Sequence, residues 1–80
     1  MAKQSHLAAL GERIREIRRT KGYSQEQFAN DVGLDRSYYG GIERGERNVA
    51  ALNLIKIARE LGVEVGELFP PMSKLGKANK

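Results

Sequence analysis

Cysteine and histidine, the side chains best suited to thiol, imidazole and zinc-type chemistry, are nearly missing from this 80-residue chain, and the polar side chains that stand out point to recognition by hydrogen bonds. There is no cysteine and one histidine, His6. A thiol nucleophile, a thiolate metal site and a disulfide framework are thereby excluded. The carboxylates are spread along the chain without meeting in one cluster, so no acid–base pair can be assigned. The chain reads as a non-enzyme with no cofactor, no metal and no implied small-molecule ligand. The stretch that stands out is LDRSYYGGIERGERN, Leu34 to Asn48. Arg36, Ser37 and Tyr38 would share the first turn of a short helix opened by Asp35 as its N-cap. An arginine there can fork onto O6 and N7 of guanine in a DNA major groove, and a hydroxyl beside it can reach a base or a phosphate. Arg36 and Ser37 are accordingly candidate base contacts. Tyr38 sits at the edge of the buried side, where it either packs or lays its ring against a thymine methyl. Gln25, in the first turn of the preceding helix, suits a phosphate, as do Arg47 and Asn48 in the loop RGERN.

Two adjacent glycines, Gly40 and Gly41, interrupt this stretch, and each is worse in a helix than alanine by roughly 0.8–1 kcal/mol. At helical spacing Tyr39 and Ile42 mark the buried side, and Ser37, Gly40, Gly41 and Arg44 fall on the side opposite. The outward face is then an arginine and a hydroxyl followed by bare backbone. Glycine there gives clearance to a helix that enters a groove. The competing explanation is that the glycines begin a loop or admit a neighbouring helix, but Ile42 and Glu43 continue the periodicity past them.

The elements that must hold these residues all read as helix, since no segment alternates as a strand would. Leu7, Leu10, Ile14 and Ile17 define a first helix that closes at Lys21-Gly22. Ser24-Gln25-Glu26-Gln27 has the form of a capping box, and Phe28, Ala29 and Val32 supply the inward face of a two-turn second helix ended by Gly33. The third helix runs from Asp35 to about Glu43, a fourth from near Ala51 to Leu61, and a short fifth is expected at VEVGELF before Pro70-Pro71. Two short helices joined by a three-residue turn containing glycine have helix-turn-helix spacing.

The net charge is +4 with a pI near 9.7, which suits a polyanionic partner. Positive charge gathers in the first helix, where Arg15, Arg18 and Arg19 form a ladder expected on a solvated face, and in a tail carrying Lys74, Lys77 and Lys80. No stretch approaches the roughly 20 apolar residues of a membrane span, and the N-terminus lacks a signal-peptide core. The chain is expected to be cytoplasmic, with residues 1–6 flexible, one domain over residues 7–69, and a flexible basic tail over residues 70–80.

SQEQFANDVGLDRSYYGGIERGERN, followed by LIKIARELGVEVGELF, resembles the five-helix lambda-repressor-like, or XRE-type, DNA-binding domains over residues 7–69. LDRSYYGGIERGERN with VAALNLIKIA is particularly similar to the controller proteins of restriction-modification systems. The resemblance implies an all-α fold whose second and third helices form the helix-turn-helix, with the helix over residues 36–43 reading the major groove of double-stranded DNA. It implies base contacts from Arg36 and Ser37, a groove contact from Tyr38 and phosphate contacts from Gln25, Arg47 and Asn48. It also implies a homodimer on a pseudo-palindromic operator, its interface built around the fifth helix with Leu68 and Phe69 in or beside it. The sequence departs from the family at Ala50, where a serine or threonine usually caps the fourth helix, and at Glu64 and Gly66. The rival reading on the same fold is a protein-interaction module such as an antitoxin or adaptor, since fold does not fix function.

Overall fold

The computed structural model describes residues 5–74, and of the expected flexible ends over residues 1–6 and 70–80, residues 1–4 and 75–80 lie outside the described residues. Four α-helices follow one another: α1 (Ser5–Thr20), α2 (Gln25–Val32), α3 (Arg36–Glu43) and α4 (Ala51–Leu61). Helix α1 begins two residues before the expected boundary at Leu7 and takes in His6. Two 3-10 turns complete the described chain, at Val65–Leu68 and Met72–Lys74. The expected fifth α-helix is thus corrected to a single tight turn. Gly66 weakens a helix there and Pro70-Pro71 closes it, leaving too few residues for an α-helical ladder.

Local chemistry sets the element ends. The Ser24 hydroxyl accepts from the Gln27 amide at 3.1 Å and starts α2. A Gly33 φ of +85° lets the chain turn sharply, its amide donating to the carbonyls of Ala29 and Asn30. Two residues on, Asp35 Oδ2 accepts from the Tyr38 amide at 3.2 Å and starts α3. Helix α4 starts without such help: Ala50 makes no side-chain cap.

The core is built from Leu10 and Ile14 of α1, Phe28 and Ala29 of α2, Tyr39 and Ile42 of α3, Ile57, Ala58 and Leu61 of α4, with Val49 and Leu68. The Phe28 ring stands 5.3 Å from those of both Tyr23 and Tyr39. Leu68, expected at a subunit interface, is fully buried and pins the 3-10 turn to the core. It has no surface left to offer a partner. Helix α1 crosses the C-terminal end of α3 at unusually close range. A Cβ added to Gly11 would collide with the Ile42 carbonyl oxygen and lie 2.6 Å from that of Glu43.

Candidate nucleic-acid interface

Helix α3 presents two different faces. Inward, Tyr39 and Ile42 are buried as their spacing predicted, and a buried ion pair accompanies them. Arg18 grips Glu43 with both arms of its fork, Nε to Oε2 at 2.7 Å and Nη2 to Oε1 at 3.0 Å. The remaining Arg18 nitrogen, Nη1, donates to the Tyr23 carbonyl at 2.7 Å. The Tyr39 hydroxyl donates to Glu43 Oε2, and Gln25 Nε2 donates to Oε1 at 3.0 Å. One carboxylate thus ties α1, α2 and α3 together.

The electrostatics of this cluster are self-consistent. Burial alone would raise the Glu43 pKa, but hydrogen bonds from Arg18, Tyr39 and Gln25, with the Arg18 charge, hold it below the usual carboxylate range. The hydrogen bond to Glu43 raises the Arg18 pKa against the opposing effect of burial. Burial, then the hydrogen bond to Glu43, pushes the Tyr39 hydroxyl well above the usual phenol range. All three groups stay in the form that the network needs.

This corrects the expected arginine ladder. Arg19 is exposed and Arg15 half-buried, but Arg18 is 5% exposed. A signal was present in the sequence: Arg18 lies four residues past Ile14 and eight past Leu10, on the apolar stripe of α1, and Glu43 lies four past Tyr39 on that of α3. Opposite charges on two apolar stripes mark a buried pair.

Outward, the first turn of α3 carries Arg36 and Ser37, both exposed, with Arg36 Nη1 3.9 Å from Glu26 Oε1. Tyr38 is half-buried, and its hydroxyl accepts from Asn53 Nδ2 at 3.1 Å, a link from α4 that no sequence pattern announced. Gln25 is half-buried, with one amide hydrogen spent on Glu43 and a second left to give. Arg47 and Asn48 are exposed in the loop, and the Arg47 guanidinium carbon stands 5.9 Å over the Tyr38 ring. Arg36, Ser37, Tyr38 and Arg47 therefore gather on and beside α3.

The expectation of bare backbone at Gly40 and Gly41 needs correction. Both glycines are buried, because arginine and glutamine side chains of the same chain lie over them. Arg44, to which sequence reasoning gave no contact role, is the nearest cover of Gly40.

A helix held from behind, with exposed hydrogen-bonding residues in its first turn and a glycine corner before it, is the arrangement of a helix-turn-helix reader. The helix-turn-helix family model matches residues 14–68. The chain belongs to the XRE-type helix-turn-helix family. Control protein C.MunI of Mycoplasma sp is 45% identical over 65 residues, covering 80% of this chain and 88% of that protein. The restriction-modification controller protein C.AhdI from Aeromonas hydrophila superposes with a TM-score of 0.76 at 54% identity, over 79% of this chain and 96% of that one. SinR, a master regulator for biofilm formation solved in complex with DNA, superposes with a TM-score of 0.71 at 37% identity, over 74% of this chain and 95% of that one. The lambda-repressor-like class expected from the sequence is therefore correct, carried by four α-helices and short 3-10 turns among the described residues. Among those residues no three His, Asp or Glu side chains are placed to hold a metal, and no helix is long and apolar enough to cross a membrane.

Proposed function

We propose that this XRE-family protein is a controller-like transcription regulator that binds double-stranded DNA as a two-fold dimer in the cytoplasm, with α3 in the major groove. The observation that carries the reading is the division of α3. Its inner face is locked to α1 and α2 through Glu43, while Arg36 and Ser37 project from its first turn with no core duty. In the groove, Arg36 forks onto a guanine edge and Ser37 onto a neighbouring base or phosphate. Gln25, Arg47 and Asn48 set the register on the backbone. The net charge of +4 supports fast, salt-sensitive association.

One short reading helix contacts too few base pairs for useful specificity, which favours a dimer. With Leu68 committed to the core, the exposed large apolar residues available for that role among the described residues are Phe69, 42% exposed, Leu52 and Ile55, which lie three apart on α4 at 62% and 43% exposure, and Met72 at 80%. Half-sites are then centred about 34 Å apart, one turn of DNA. Selection from a randomised duplex pool, followed by sedimentation of the selected complex, tests both statements. A pseudo-palindrome bound by two protomers is expected. Sedimentation as a monomer at tens of micromolar, with and without DNA, would overturn the dimer, and failure to enrich any duplex would favour the protein-interaction reading.

A further inference from the structure

Gly40 and Gly41 lie beneath two arginines that come from beyond the end of α3. A Cβ built on Gly40 would lie 3.0 Å from Arg44 Nη1 and 3.4 Å from Gln25 Oε1. One built on Gly41 would lie 2.9 Å from Arg47 Cγ and 3.4 Å from its Nε. The chain geometry explains the overlap. Arg44 sits one turn past Gly40, and a helical side chain leans toward the preceding turn, so its guanidinium comes to lie over position 40. Arg47 arrives by a reversal: at Gly45 φ is +77°, and the Glu46 amide returns to the Gly41 carbonyl at 2.8 Å. The Arg47 stem then crosses Gly41 and carries its guanidinium to the Tyr38 ring, back toward the first turn of α3.

We infer that the two glycines are seats: they let Arg44 and Arg47 lie flat along the outward face of α3, and they make Arg44 a DNA-contacting residue beside Arg47. The inference rests on the reading of α3 as the groove-entering helix. Seated, the Arg44 guanidinium lies above position 40 beside Gln25 Oε1, its Nε paired with Glu46 Oε2 at 3.1 Å, which leaves the Nη donors of its fork for a phosphate oxygen. The Arg47 guanidinium stands next to Tyr38 on the other flank. Helix α3 itself offers one exposed cation, Arg36, and the seats bring it two more. The clearance that the glycines supply is for these side chains, in place of the groove wall. A methyl at Gly40 meets the Arg44 guanidinium and one at Gly41 the Arg47 stem, and in each case the charge is pushed outward.

The test is a pair of double-variant cycles on a short duplex that the wild-type protein selects from a randomised pool. Arg44→Ala and Arg47→Ala are each expected to weaken binding about tenfold or more, the loss of a hydrogen bond to a charged group. Each should also flatten the log–log salt slope by about one unit. Gly40→Ala and Gly41→Ala should weaken binding comparably, and each glycine–arginine double variant should bind no worse than its arginine variant. Effects that multiply in the doubles, or glycine variants that bind as wild type does, overturn the seats. Thermal melting accompanies the titrations: alanine should melt at or above wild type, and a lower melting point would mean that the glycines hold backbone instead of side chains. A readout in the free protein needs no DNA. The Arg47 Nε–H proton resonance, shifted by the Tyr38 ring, should move equally in Gly41→Ala and Tyr38→Leu, and an unmoved resonance in Gly41→Ala overturns the inference. If that resonance moves while the wild type binds no duplex, the seating holds and the DNA-binding reading fails.

Discussion

The two faces of α3 use the same residue types to opposite ends. On the inner face an arginine and a glutamate, Arg18 and Glu43, are almost wholly withdrawn from water and joined by two hydrogen bonds. At the outer side Arg36 stands 3.9 Å from Glu26 with both side chains about two-thirds exposed. The first pair is held by hydrogen bonds to a tyrosine, a glutamine and a carbonyl, so breaking it leaves a charge stranded in a poor solvent. The second gains little from its contact and is easily exchanged for another partner. A short helix is made rigid on one side so that it can be available on the other.

The sharpest way to break this comparison is Glu43→Ala, which strands Arg18 and should destabilise the protein by about 3–5 kcal/mol. That is a large part of the 5–15 kcal/mol that a domain typically has. Urea unfolding checks it, and wild-type stability in the variant would erase the distinction between the faces. Arg36→Ala should do the reverse: leave the unfolding midpoint in place and cost roughly 1–3 kcal/mol of DNA binding at one base pair per half-site. Titration against a panel of single base-pair variants reads that loss. Acid sharpens the contrast further. Because the folded Glu43 pKa is depressed, its contribution to stability is present above the ordinary carboxylate value of about 4.3 and is lost as pH falls through the folded pKa. Unfolding free energy measured from pH 6 downward should decline through that window, and the paired replacement Arg18→Met with Glu43→Leu should flatten the decline while destabilising far less than Glu43→Ala. The smallest effect is expected at Gly40→Ala, a gain of up to about 1 kcal/mol in the free protein, because only the far end of Arg44 has to move. A melting curve decides its sign.

The sequence was most legible where structure depends on neighbours a few residues apart. Ser24, Gly33 and Asp35 predicted the corner between α2 and α3, since capping is chemistry within one turn, and Tyr39 and Ile42 declared the inner face by spacing alone. The family resemblance rested on the same local features. What stayed hidden depends on how separate elements meet. Arg18 finds Glu43 only because α1 crosses α3, and the cover on Gly41 comes from a loop that doubles back, as part of that on Gly40 comes from Gln25 of α2. Leu68 was placed with Phe69 in or beside an interface because the resemblance builds that interface around the fifth helix. An isolated turn of chain does not reveal which of two adjacent apolar residues faces inward; packing against α1 and α4 decides it.

The close crossing at Gly11 bears on how the protein would look to a geneticist. With carbonyl oxygens of Ile42 and Glu43 against the Gly11 α-carbon, any side chain at position 11 must lift α1 away from the end of α3. The reading helix then tilts, although no surface residue has changed. In a screen for lost regulation, replacements at Gly11 would be recovered alongside those at Arg36 and be mistaken for damage to the DNA footprint. Their phenotypes would separate by operator: an Arg36 allele can be suppressed by changing one base pair, whereas a Gly11 allele has no base pair to suppress it.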